Sequence, residues 1–293
     1  MLSLAMPADI NIWILGGTGF VAGLLGSMLG VGGGFIIVPV LTLALGLPIQ
    51  YAIGSSLISI IINACTATSV YIRCHMTNLH LGLLLACALV PGAVVGAYLA
   101  ASLSSPVLTI IFGLLMVYVA YLMMPRRQRK LTREQIDAAA VVHEKEHAHH
   151  AWLDGCYYDS AVNHEMAYQV HRPLVGLVTG FFAGVISSLL GIGGGIINVP
   201  VMNRFMKVPL KATIATSALL LSFTTMTGSI IYIFNGYVVP YVVAPLIICV
   251  FLGARLGSAL AHRWHSVWLM WIFAFFLAVT AVLMILKALN IVG

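Results

Sequence analysis

Residues Phe20–Pro39 read FVAGLLGSMLGVGGGFIIVP, and residues Phe181–Pro200 read FFAGVISSLLGIGGGIINVP. The copies stand 161 residues apart, pairing Gly23 with Gly184, Ser27 with Ser188, Gly30 with Gly191 and Pro39 with Pro200. Each is an apolar run of helical length, broken by four glycines in five positions and followed five residues later by a proline. Glycine weakens a helix, and proline removes a backbone donor. In hydrocarbon such a break is tolerated only where the freed backbone is buried in protein or lines a cavity. A pair of breaks at matching places in two halves is the sequence pointer to a transporter binding site.

The surrounding composition agrees. The chain has 293 residues, 61% hydrophobic and 8% charged, with a mean hydropathy of +1.05. Soluble domains carry about 25% charged residues, so the chain reads as a polytopic membrane protein. Its formal charge of +6 reads as loop charge that sets orientation, not as a nucleic-acid footprint. Met1–Asn11 lacks a basic start and contains Asp9, so no cleavable signal is expected. Cys65, Cys87 and Cys249 lie in apolar runs, Cys74 ends one, and no CxxC pair occurs. Neither a disulfide framework nor a structural zinc site is expected.

Hydrophobic runs fall at Ile12–Leu29, Gly33–Leu45, Ile49–Ile72, Leu79–Ser102 and Pro106–Met124, then at Pro173–Leu190, Gly193–Met206, Leu210–Phe234, Val238–Ala261 and Val267–Leu289. A span needs about 20 residues. Gly33–Leu45 and Gly193–Met206 are short, so each is expected to pair with its predecessor in a hairpin that returns to its own side. The other six runs are long enough to cross. The repeat continues past the glycines, matching Pro48 with Pro209, Ser55-Ser56 with Thr216-Ser217, Tyr71 with Tyr232, and Gly92 and Gly96 with Gly253 and Gly257. The expected fold is an all-α polytopic membrane protein of two inverted-topology repeats. Each has a glycine-broken helix pair, re-entrant or discontinuous, followed by three transmembrane helices. The divisions expected are residues 1–124, a cytoplasmic His-rich loop over 125–172, and residues 173–293. With the loop's Arg126, Arg127, Arg129, Lys130 and Arg133 inside, Arg73, Arg204, Lys207, Lys211 and Arg263 also fall inside and only Lys287 outside. Both termini are then outside.

The loop offers a capping-box start at Thr132-Arg133-Glu134-Gln135, and a short helix is expected from there through His150. His143, His147, His149, His150 and Cys156 raise metal binding. The competing reading is a solvated tract without a rigid ligand frame, and no metal or cofactor is expected.

No carboxylate lies in the apolar runs, because all eight Asp and Glu are Asp9 or fall between Glu134 and Glu165. Cation-coupled carriers place acids in the membrane. These runs instead hold Ser27, Ser55, Ser56, Ser59, Asn63, Thr66 and Thr68, then Ser187, Ser188, Asn198, Thr216, Ser217, Ser222, Thr224, Thr225 and Thr227. Donors without acids suit an anion. The helix starts after each break add free N–H groups and a positive dipole end. The expected substrate site is Gly32, Gly33, Gly34, Gly193, Gly194 and Gly195 with Ser27, Ser188, Ser55, Ser56, Thr216, Ser217 and Asn198. The plainer alternative is that the glycines only make a tight turn. Arg255 is either an anion contact or a residue snorkelling to the cytoplasmic face. No acid–base pair or activated nucleophile assembles from these runs, so an enzyme is not expected.

The duplicated LGxGGGxxxVP motif, the stretches Ala215-Thr216-Ser217-Ala218 and Gly54-Ser55-Ser56-Leu57, and the two-half layout resemble the sulfite exporter TauE/SafE family. The resemblance covers everything but the central loop. It implies a multi-pass plasma-membrane permease of bacteria or archaea for sulfur-containing anions such as sulfite, sulfonates or sulfoacetate. Expected partners are that small anion and the lipid bilayer, with a homodimer left open and no nucleic acid. The alternatives are a passive anion channel, and a membrane sensor or scaffold using the His-rich loop.

Overall fold

The computed structural model describes residues 12–123, 153, 155–159, 164–261, 277 and 279–287. In chain order it builds α1 (Ile12–Leu29), α2 (Gly34–Leu43), α3 (Ile49–Arg73), α4 (Leu79–Ser102), α5 (Ser105–Met123), β1 (Gly155–Asp159), β2 (His164–Tyr168), α6 (Pro173–Leu190), α7 (Gly195–Arg204), α8 (Leu210–Phe234) and α9 (Pro240–Ala261). Residues 279–287 are also helical.

Among the described residues, six helices are long and apolar enough to cross a membrane: α1, α3, α4, α6, α8 and α9. This set differs from the six runs expected to cross. α1 and α6 reach 18 residues each, whereas most of Val267–Leu289 lies outside the described residues. α2 and α7 have 10 residues each. At 1.5 Å per residue that covers about half of a bilayer's hydrocarbon. Large apolar side chains such as Trp13, Leu174, Val178, Ile248 and Leu252 are exposed on the outer surface, where lipid rather than water is their fitting neighbour.

The helices pair off reciprocally. α1 packs on α9 and α4 packs on α6, while α3 packs on α8 and α9, and α8 packs on α4. Advancing each residue by 161 turns one member of these pairs into the other. The small-residue stripes sit at the closest approaches. A methyl group on Gly92 would run into the Phe181 carbonyl, and one on Gly253 into the matched Phe20 carbonyl. Such stripes let helix backbones meet in lipid.

The connections segregate to two ends. At one end the Asn78 amide Nδ2 donates to the Leu153 carbonyl (3.0 Å), and the His171 N–H donates to the Met206 carbonyl (3.1 Å). Arg73, Arg172, Arg204, Lys207 and Lys211 belong to the segments meeting there. At the other end Gln50 Nε2 donates to the Leu103 carbonyl (3.3 Å) and the Ser105 hydroxyl to Gln50 Oε1 (2.6 Å). Among the described residues the basic residue there is Lys287, whose ammonium donates to the Thr42 carbonyl.

The all-helical expectation needs one correction, at β1 and β2. They form an antiparallel ribbon running from Gly155 paired with Tyr168 to Asp159 paired with His164. Tyr168 is buried among Leu81, Leu85, Met202 and Met206, so the ribbon docks on the basic end of the bundle. Two strands of five residues each in a polar loop leave too short a pattern to read beforehand. The helix expected from Thr132 and the histidines His143, His147, His149 and His150 lie outside the described residues, and Cys156 is in β1.

Candidate functional site

The two glycine breaks are built alike. Gly30, Gly32 and Gly33 have φ of 66°, 95° and 83°, and Gly191, Gly193 and Gly194 have 67°, 95° and 71°. These left-handed values are strained for residues with a side chain. α1 therefore stops at Leu29 and α6 at Leu190, and the chain turns before α2 and α7 start. Gly33 and Gly194 stand at the N-caps of those short helices, and neither helix start has a side-chain cap. The first turns of α2 and α7 thus present backbone N–H groups and the positive dipole end.

The two breaks touch each other. The Ser56 hydroxyl donates to the Gly191 carbonyl (3.0 Å), and the matched Ser217 hydroxyl donates to the Gly30 carbonyl (2.8 Å). A methyl group on Gly34 would overlap the Gly191 carbonyl, and one on Gly195 the Gly30 carbonyl. Tyr71 donates its phenol to the Ser27 carbonyl (2.8 Å), and Tyr232 to the Ser188 carbonyl (3.2 Å). The Thr216 hydroxyl oxygen accepts from the Asn78 N–H (3.1 Å), and that of Ser55 from the Val239 N–H at a long 3.5 Å. Ser55, Ser56, Thr216 and Ser217 have no exposed surface. Two buried breaks are thus clasped by the Ser56 and Ser217 hydroxyls, while Ser55 and Thr216 join the halves at the starts of α9 and α4.

Gly32–Gly34, Gly193–Gly195, Ser56 and Ser217 are accordingly brought together, whereas Ser55 and Thr216 are spent on Val239 and Asn78. Ser27 turns its hydroxyl back to the Leu24 carbonyl (3.0 Å). Among the described residues, buried Ser188 has no partner for its hydroxyl, and Asn198, 4% exposed, has none for its amide nitrogen. Arg255 is exposed on the outer surface of α9 and is not gathered with the breaks. The sequence reading left Tyr71, Tyr232, Asn63 and Ser187 out of the site. Asn63 donates to the Gly32 carbonyl (2.8 Å) and keeps a buried, unpartnered Oδ1. The matched tyrosines were legible as a repeat pair. Asn63 and Ser187 were legible as mismatches, facing Thr224 and Gly26 in the other half. Among the described residues no group of histidines, cysteines or acids is placed to hold a metal ion.

This arrangement combines hydroxyls, amides and helix starts, with no acid on the membrane helices. It is chemically suited to a small anion. Residues 15–284 match the family described as Sulfite exporter TauE/SafE, and the chain belongs to that family. A probable membrane transporter protein, YunE of Bacillus subtilis (strain 168), is 28% identical over 256 residues, covering 85% of this chain and 88% of the relative. A second, MJ0441 of Methanocaldococcus jannaschii, is 27% identical over 244 residues, covering 78% of this chain and 76% of the relative. No solved structure matches.

Proposed function

We propose that this family member is a plasma-membrane secondary transporter that exports small sulfur-containing anions such as sulfite, sulfonates or sulfoacetate. It works by alternating access around the paired glycine breaks. The observation that carries the reading is the reciprocal clasp of Gly30 and Gly34 with Gly191 and Gly195, made in helices without a carboxylate. A two-fold relation between halves fits a carrier whose two states exchange the roles of the repeats. The segregation of Arg73, Arg204, Lys207 and Lys211 from Lys287 supports inverted halves with the basic end in the cytoplasm. Neutral donors suit an anion that must be held and then released, since fixed cations would hold it too tightly.

Counterflow in proteoliposomes tests the reading. Vesicles loaded with unlabelled sulfite should accumulate labelled sulfite transiently, at a rate that saturates with concentration. Flux that follows the gradient without saturation or counterflow would instead establish a channel. Absence of any sulfite or sulfonate flux would remove the sulfur assignment.

A further inference from the structure

The clasp is symmetric, but the groups beside it are not. In the first half the space beside Gly26 is filled by the Asn63 amide, which donates to the Gly32 carbonyl. The second half carries Ser187 where the first has Gly26, and Thr224 where the first has Asn63. Thr224 turns its hydroxyl back to the carbonyls of Leu220 and Leu221 (both 3.1 Å). The Ser187 side chain therefore stands in the place that the Asn63 amide fills in the first half. Ser187 is fully buried, its hydroxyl has no partner among the described residues, and it stands 3.3 Å from where a methyl on Gly194 would lie. A serine in a membrane helix normally returns its proton to a carbonyl one turn back, as Thr225 does here with the Leu221 carbonyl (2.6 Å). Ser187 does not, and it faces the N-cap of α7 instead. One turn into that helix, the matched position of the apolar Ile37 is Asn198, buried and with Nδ2 unpartnered. Asn198 is the fourth residue of α7, and side chains on a helix lean toward its N-terminus.

We infer that the second break alone is the anion subsite, with Ser187 Oγ, Asn198 Nδ2 and the first-turn N–H groups of α7 as its donors. At the first break the Asn63 amide is already spent on the Gly32 carbonyl and Ile37 stands where Asn198 does, so that break serves as the structural counterpart. This rests on the transport reading above and deepens it. A small oxyanion would satisfy at once two buried donors that otherwise remain unpaired, and unpaired buried donors are costly. Specificity then lies in residues that break the repeat, not in those that obey it.

The test is anion binding to the purified full-length protein, titrated separately with sodium sulfite, methanesulfonate, phosphate and acetate. Ser187→Ala and Asn198→Leu are compared with Thr42→Val, which removes an unpartnered buried hydroxyl at the far end of α2. Each of the first two should weaken sulfite binding by about tenfold or more, and Thr42→Val should leave it unchanged. Ser187→Ala should not lower the melting temperature, because its hydroxyl has no protein partner. Weaker binding in an equally stable protein therefore separates a ligand contact from a packing role, even where Asn198→Leu fails to fold. Sulfite bound equally by all variants overturns the subsite and leaves the sulfur reading standing. Phosphate or acetate bound in place of sulfite and methanesulfonate, with dependence on Ser187, keeps the subsite and overturns the sulfur reading. No binding of any of these anions by the unaltered protein overturns both.

Discussion

The Ser217 hydroxyl donates to the Gly30 carbonyl at 2.8 Å, joining residues 187 positions apart. Its repeat mate, Ser56, makes the same bond to Gly191. A carbonyl in an αL turn is not used by a helix ladder, so each serine supplies a donor that its own half cannot offer. Removing either hydroxyl leaves a buried acceptor unmet. Interhelical hydrogen bonds in membranes are worth about 0.6 kcal/mol on average and up to about 1.7. Ser217→Ala should destabilise the protein by about that range, and Ser56→Ala/Ser217→Ala by at least the sum of the single changes. Thermal unfolding in detergent reads this. An unchanged midpoint in the double variant would show that the clasp does not hold the halves together.

Asn78 links three segments. Its side-chain oxygen caps α4 by accepting from the Leu81 N–H, its Nδ2 donates to Leu153, and its N–H reaches Thr216 (3.0, 3.0 and 3.1 Å). Asn78→Ala removes the cap, at a cost of about 1 kcal/mol, and unties the ribbon β1–β2 from the bundle. The ribbon should then be cut by added protease faster than in the unaltered protein, while the helices stay protected. Equal cleavage rates would mean that Tyr168 alone anchors the ribbon.

The two ends of the bundle allow the proposed orientation to be tested. Lys207 and Asn235 are exposed, at the basic end and in the α8–α9 connection at the opposite end. In a cysteine-free background, Lys207→Cys should react with an impermeant maleimide only after the cytoplasmic face is opened. Asn235→Cys should react in intact cells. Reaction of Lys207→Cys in intact cells would reverse the assigned sides.

The repeat of 161 residues was legible in the sequence, and with it the matched residues that make equivalent contacts in the two halves. Pattern reading finds apolar runs and matched residues, so α1 to α4 and α6 to α9 fall close to the expected runs. It does not say what a matched hydroxyl bonds to. Ser56 and Ser217 look like ligand donors in the sequence and prove to be clasps on glycine carbonyls, a relation fixed only when the halves cross. The ribbon was not legible because it is anchored by Tyr168 against Met202 in α7 and Met206 just beyond it, residues distant in the sequence. Ser187 was legible as a departure from Gly26, but the departure acquires meaning only beside Gly194.

The contact between Gly34 and Gly191 gives the sharpest prediction. A methyl group at Gly34 would overlap the Gly191 carbonyl and lie 2.6 Å from Ile60 Cδ1 and 2.9 Å from Ser56 Oγ. The carbonyl belongs to backbone and cannot swing aside, so Gly34→Ala must part the two breaks and take the Ser56 bond with them. Overpacking of a close-packed site costs about 1–3 kcal/mol before any lost hydrogen bond is added. Gly195→Ala meets the Gly30 carbonyl in the same way. Gly17→Ala is the control, since a methyl there meets nothing within 4 Å, and alanine in a helix is favoured over glycine by about 0.5–1 kcal/mol. Gly34→Ala and Gly195→Ala should therefore lower the melting temperature and abolish transport together, while Gly17→Ala leaves both intact or raises the first. Transport at the unaltered rate by a stable Gly34→Ala protein would mean that the backbones of the two breaks do not meet, and the clasp would have to be abandoned with them.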